Sequence, residues 1–195
     1  MIRILTAAVV CLASACGQEF TPDILSQLKG SVTVVTFISA RCVVSNAYGA
    51  RFEALYKEYT PRGVRFLFVN SNSNETAREI EENAKNHRYS FHVHRDSTSQ
   101  AAKLFGAQLT PESFLLDRDA VVRYRGAVDD SQNPARIKKQ SLRLALDAVL
   151  AGGQIATPQT KAFGCTIKRP RAEQFQPAAV QDYPKLVAAH RGKIL

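Results

Sequence analysis

Phe37-Ile38-Ser39-Ala40-Arg41-Cys42-Val43-Val44-Ser45-Asn46-Ala47-Tyr48 sets a single cysteine between two different periodicities. On its N-terminal side, Val32, Val34, Val35, Phe37 and Ile38 form an apolar, β-branched run that predicts a buried strand. On its C-terminal side, Tyr48, Phe52, Leu55, Tyr56 and Tyr59 recur at helical spacing. Cys42 therefore falls where a strand turns into the first turn of a helix. Unpaired backbone N–H groups and the positive end of the helix dipole favour an anion there, so they favour thiolate over thiol. Arg41 either adds a positive charge beside that thiol or points into solvent.

Working outward, 20–29 predicts a lead-in helix with Ile24, Leu25 and Leu28 on its apolar face, stopped by Gly30. The Cys42 helix ends at the breaker Thr60-Pro61-Arg62-Gly63. A second buried strand covers 64–70. Ser71-Asn72-Ser73-Asn74 then caps a helix with Glu75 in its first turn and Ala77, Ile80 and Ala84 as its stripe. Glu79, Glu81, Glu82 and Lys85 form its solvated face, with Glu81 and Lys85 as an i,i+4 pair. A short strand at 91–94 and a short helix marked by Ala101, Leu104 and Phe105 follow. Thr110-Pro111 enters a strand that Arg118-Asp119 turns back into Val121-Val122-Arg123-Tyr124-Arg125-Gly126. Leu142, Leu146, Val149 and Leu150 give a last helix, ended by Gly152-Gly153. This order predicts parallel strands with crossover helices, then an antiparallel hairpin: an α/β sheet covered on both faces. Beyond Ile155 the chain reads as an extended tail wrapped on the domain as far as Cys165. Gln174 to Pro184 is polar and proline-broken, and 183–190 has the pattern of a short helix.

The 195 residues suffice for one domain with a full core plus extensions, and the formal net charge is +9. The basic residues are scattered and not interleaved with aromatics, so no nucleic-acid surface is expected. Arg3, the apolar stretch 4–12 and Ala13-Ser14-Ala15 have the form of a targeting leader over 1–15, after which the chain begins at Cys16 outside the cytoplasm. Cys16 fits two readings: a lipidated thiol attaching the protein to a membrane, or the first residue after an ordinary A-x-A site. Cys11 leaves with the leader, so Cys42 and Cys165 remain as an even pair in an oxidising compartment. No C-x-x-C is present. His92 and His94 share one strand face, but no third ligand is evident nearby, so no metal and no cofactor are expected.

The strand–Cys42–helix element, Thr110-Pro111 before a strand and the closing hairpin resemble the thioredoxin fold: a central mixed sheet flanked by helices, here over 16–153, with an extended C-terminal tail over 154–195. In that fold the proline is cis and faces the cysteine, and the residue before it offers its backbone to an extended peptide or thiol substrate. Cys42-Val43-Val44-Ser45-Asn46-Ala47-Tyr48, the stretch Tyr124 to Asp130, and Thr160-Lys161-Ala162-Phe163-Gly164-Cys165-Thr166-Ile167-Lys168 further resemble the peroxiredoxin-like bacterial redoxins related to AhpC/TSA.

The resemblance implies a thiol-dependent oxidoreductase acting on protein or small-molecule thiols and disulfides, or on peroxide. Neither standard cycle runs unaltered. A thioredoxin needs a second thiol where Ser45 stands. A peroxiredoxin has the cysteine and hydroxyl exchanged relative to Cys42 and Ser45, and a proline in place of Ile38. Cys42 is then the nucleophile, Thr110 and Pro111 the groove wall, and Ser45 and Arg41 the support of the thiolate. Cys165 is either a resolving thiol on the tail or a thiol too distant to bridge. Ser45 alternatively makes only a local capping bond. The competing class is a binding module that keeps the groove without turnover.

Overall fold

The computed structural model describes residues 19–20 and 28–170. β1 (Thr33–Phe37) is buried along its whole length at the centre of a five-stranded sheet ordered β3-β2-β1-β5-β6. It runs parallel to β2 (Arg65–Asn70), which runs parallel to β3 (Val93–Arg95). On its other side it is antiparallel to β5 (Glu112–Leu116), the first strand of a hairpin with β6 (Val122–Gly126). Alternation along the strands splits the core in two. Val34, Phe68 and Leu115 face one side with Tyr48, Phe52, Leu142 and Leu146. Val35, Phe37, Leu67, Val69 and Phe114 face the other with Ala101, Ala102 and Ile167. Helices α1 (Val43–Ala47), α2 (Gly49–Tyr59), α3 (Ala77–Asn86) and α5 (Ser141–Leu150) contribute to the first layer, and α4 (Gln100–Phe105) to the second. A central strand buried on both faces needs this double cover, which is why β1 is built of β-branched and aromatic residues, Thr33 and Thr36 included, buried along its length.

Two local expectations are corrected. The helix expected over 20–29 does not start at Phe20, whose N–H bonds the Arg95 carbonyl beside β3; residues 21–27 lie outside the described residues, and Leu28-Lys29-Gly30 form a turn. The third helix is capped not by 71–74 but by Thr76, in a capping box with Glu79. Glu79 thus belongs to the cap and to an ion pair with Arg41, and Arg78 and Glu82 form an i,i+4 pair on the same helix. Glu75 is not in the helix. It is 2% exposed in the preceding loop.

The tail docks in steps. Thr160 crosses β6 at Gly126, where φ is +144° and a Cβ would meet Thr160 Oγ1 at 2.2 Å, so only glycine allows the crossing. Phe163 then packs on the Tyr48 ring. β7 (Cys165–Thr166) pairs antiparallel with β4 (Leu109–Thr110), and Ile167 is buried below them. The expected extended tail up to Cys165 is therefore present. The expectations for 174–184 and 183–190 lie outside the described residues, as do the leader and Cys16.

His92, just before β3, and His94, within it, are half-buried. His92 Nε2 and His94 Nδ1 are buried without partners, and the two rings lie 4.6 Å apart. Burial, followed by the charge of His92, pushes His94 down to about 4. Burial lowers His92 too, against the opposite pull of Glu81. An unfolded chain binds protons at these histidines from about pH 6.5 downward, whereas the fold resists them. Their contribution to stability should be flat above that pH and fall as the pH drops towards 4. A His94→Asn variant should lose part of that slope in melting temperature against pH; an unchanged slope would remove the histidines as its cause.

Candidate active site

Cys42 is the N-cap of α1, with extended backbone (φ −82°, ψ 113°), and is 3% exposed. Its Sγ accepts the Ser45 N–H at 3.4 Å and lies 3.2 Å from the Thr110 carbonyl oxygen. These neighbours pull in opposite directions once the sulfur is reduced: the N–H favours thiolate, while the carbonyl accepts from a thiol. The Thr110–Pro111 bond is cis. Val43, the residue after Cys42, is 77% exposed.

Cys165 lies directly opposite. It pairs with Thr110 in the β4–β7 ladder, its Cα is 5.9 Å from that of Cys42, and the two sulfurs are joined as a disulfide. That separation is within the span a disulfide requires. The sequence had left a distant Cys165 open; the structure brings the two together. Gly164 makes the approach possible, because at φ +151° a Cβ would sit 2.1 Å from the Thr110 carbonyl oxygen. The strand edge at Thr110, expected to offer its backbone to a substrate, is thus taken by the chain's own tail.

Ser45 and Arg41 both have other side-chain partners. Ser45 is buried, but its hydroxyl accepts the Ser39 N–H at 3.1 Å; the group that faces Cys42 Sγ is its backbone amide. Arg41 points away from the sulfur and pairs with Glu79. Residues not singled out from the sequence build the floor. Ser39 Oγ accepts the Cys42 N–H at 3.0 Å and donates to Glu75 Oε1 at 2.5 Å. Glu75 Oε2 accepts the Ala40 N–H and Asn70 Nδ2, each at 2.7 Å. Glu112, 4% exposed, accepts the Gln108 and Leu109 N–H groups and pairs with Arg125, bracing the turn before Thr110. Behind the cysteine helix, the Tyr48 hydroxyl donates to Asp129, which Arg51 also holds. Burial first, then that bond to Asp129, keeps the Tyr48 proton well above the usual tyrosine range. Among the described residues no group of three or more His, Cys, Asp or Glu could hold a metal ion.

The model of the AhpC/TSA family matches residues 9–125. The chain belongs to that family. Similar solved structures include a hypothetical protein of Sinorhizobium meliloti, at 32% identity and TM-score 0.68, covering 76% of this chain and 85% of that one. An uncharacterized conserved protein of Geobacillus kaustophilus is similar at 31% identity and TM-score 0.69, covering 76% and 82%. A thioredoxin-family thiol:disulfide interchange protein of Chlorobium tepidum, at 19% identity and TM-score 0.51 over 64% and 83%, shares the fold alone. No curated protein matches. The fold is thioredoxin-like, and at the level of the family the chain is a thiol-dependent redoxin.

Gly164→Ala tests the geometry of the pair. Positive-φ strain and overlap with Thr110 should cost about 1–3 kcal/mol of tail docking. Under a mild oxidant that pairs the wild-type thiols, the variant should retain two alkylatable cysteines by intact mass while its domain stays folded. Full pairing in the variant would show that the close approach at Gly164 is not required.

Proposed function

We propose that this chain is an exported thiol–disulfide oxidoreductase in which Cys42 is the nucleophile and Cys165, on the tail, the resolving thiol. The observation that carries this reading is the Cys42–Cys165 disulfide formed across Thr110, with the tail docked as a strand on the cis-proline segment. Ser45 occupies the place of the usual second thiol, so resolution falls to a cysteine 123 residues away in sequence.

In the reductive direction, the Cys42 thiolate attacks one sulfur of a substrate disulfide. A Cys42–substrate S–S bond forms, the substrate S–S bond breaks, and the other substrate sulfur leaves as thiolate. The Cys165 thiolate then attacks Cys42 Sγ, forming the intramolecular disulfide and expelling the first substrate sulfur. The substrate gains two electrons and the chain loses two, which a dithiol reductant returns. Thr110 and Pro111 flank Cys42, and the Thr110 edge that the tail holds in the disulfide form opens to substrate only when the tail leaves it. The Ser45 N–H supports the Cys42 thiolate before attack.

Membership of the AhpC/TSA family also admits a peroxide as oxidant. Disulfides are preferred because Ser39, the hydroxyl nearest Cys42 in sequence on its N-terminal side, gives its proton to Glu75 and takes the Cys42 N–H instead of facing the sulfur. The proposal extends to organisation: a leader over 1–15, a redoxin domain over 16–153 and a tail over 154–195. Cys16 is the candidate point of membrane attachment outside the cytoplasm.

Reduction of a protein disulfide, driven by a dithiol reductant, tests the activity. Cys42→Ser should lower turnover on the order of a hundredfold or more. Cys165→Ser should accumulate a mixed disulfide with Cys42, visible by intact mass. Undiminished turnover in Cys42→Ser, or no turnover in the wild type, would overturn the oxidoreductase reading and leave the groove as a binding surface.

A further inference from the structure

The loop from Asn70 to Glu75 touches both halves of the thiol pair. On one side, the Cys42 N–H donates to Ser39 Oγ, whose proton goes to Glu75 Oε1. Glu75 Oε2 accepts Asn70 Nδ2, and Asn70 Oδ1 accepts both the N–H and Nδ2 of Asn72 at 3.0 and 3.3 Å. On the other side, Asn72 Oδ1 accepts the N–H of Lys168 at 2.9 Å, three residues beyond Cys165. Ser73 closes the contact, its N–H and Oγ donating to the Lys168 carbonyl at 2.7 and 2.9 Å. Hydrogen bonds thus run without a break from the residue carrying one sulfur to the segment carrying the other.

Ser39, Asn70, Asn72 and Glu75 are all nearly inaccessible, at 5%, 1%, 4% and 2% exposure. Four buried polar side chains, one a carboxylate, are costly unless each finds partners, and here each does. A fully satisfied buried network fixes one geometry more sharply than apolar packing. Here the geometry fixed is the position of the tail relative to the Cys42 turn.

We propose that Asn72 and Glu75 are positioning residues for the thiol pair: Glu75 sets the Cys42 turn through Ser39, Asn72 holds the Cys165 tail through Lys168, and together they raise the effective concentration of one sulfur at the other. This rests on Cys42 and Cys165 acting as a pair. It concerns the stability of their disulfide against the dithiol, not which substrate oxidises them. Losing either clasp arm leaves the thiols intact and lowers the concentration at which they meet, which makes the disulfide easier to reduce.

Equilibration with glutathione buffers, read by alkylation and intact mass, measures this without turnover. Asn72→Ala should lower the equilibrium constant for the intramolecular disulfide about tenfold, a potential about 30 mV more oxidising. In a Cys165→Ser background the same substitution should leave the pH midpoint of Cys42 alkylation unchanged, because it acts on the tail. Glu75→Gln should shift both readings. Ser73→Ala, which removes only an exposed hydroxyl contact, should give a smaller decrease, about threefold, and serves if a buried variant does not fold. Leu146→Ala, in the distant core, should lower the melting temperature without moving the potential. A potential within a few millivolts of wild type in folded Asn72→Ala and Ser73→Ala, or one that simply tracks melting temperature in all variants, would overturn the proposal. A chain that fails to turn over disulfides yet shows these shifts would keep the clasp and lose the activity.

Discussion

Thr110 carries the site on its backbone. Its carbonyl lies 3.2 Å from Cys42 Sγ, its position in the ladder is opposite Cys165, and the cis bond that follows it turns the chain into β5. The two cysteines come from opposite ends of the domain and have no local reason to meet. They meet because both are referred to this one residue: Cys42 by the turn after β1, and Cys165 by the short ladder between β4 and β7. Gly164 is the steric condition for the second approach, since any Cβ there would occupy the space of the Thr110 carbonyl.

The surroundings of that contact are polar and buried. Glu75 lies under the Cys42 turn and Glu112 under the Thr110 turn, each accepting backbone N–H groups that the bends leave unpaired by regular structure. Carboxylates suit this task because one side chain offers two acceptor oxygens and makes charge-assisted bonds stronger than neutral ones. The thiolate, by contrast, receives little direct help from side chains. Ser45 reaches it through backbone, and Arg41 is engaged by Glu79. The geometry of the pair rests on backbone placement of the sulfurs more than on a charged side chain beside them.

Much of the fold was legible because burial imposes period. The run from Val32 to Ile38 reads as a two-sided strand, and the aromatic spacing from Tyr48 to Tyr59 reads as one helical face. Cys42, Thr110 and Pro111 could be singled out from these boundaries. The sequence could not fix where the tail goes, because Thr160 to Lys168 has neither strong periodicity nor turn chemistry; its path is set by two glycines and by pairing with a strand some 55 residues earlier. Glu75 was misassigned for a related reason. A polar run before a helix reads as a cap, yet β1 and β2 are parallel neighbours whose ends lie on the same side of the sheet. The loops that follow them must therefore adjoin, and that adjacency was the available signal for a polar floor under Cys42.

The central claim is that the tail supplies the second thiol of the reaction. A single-turnover experiment tests it most directly: reduced protein is mixed with one equivalent of a protein disulfide, quenched with acid at intervals, and resolved by intact and peptide mass. The account predicts a mixed disulfide at Cys42 that forms first and decays at the rate at which the Cys42–Cys165 disulfide appears. A mixed disulfide that persists while Cys165 stays free, or one that forms first at Cys165, would contradict it.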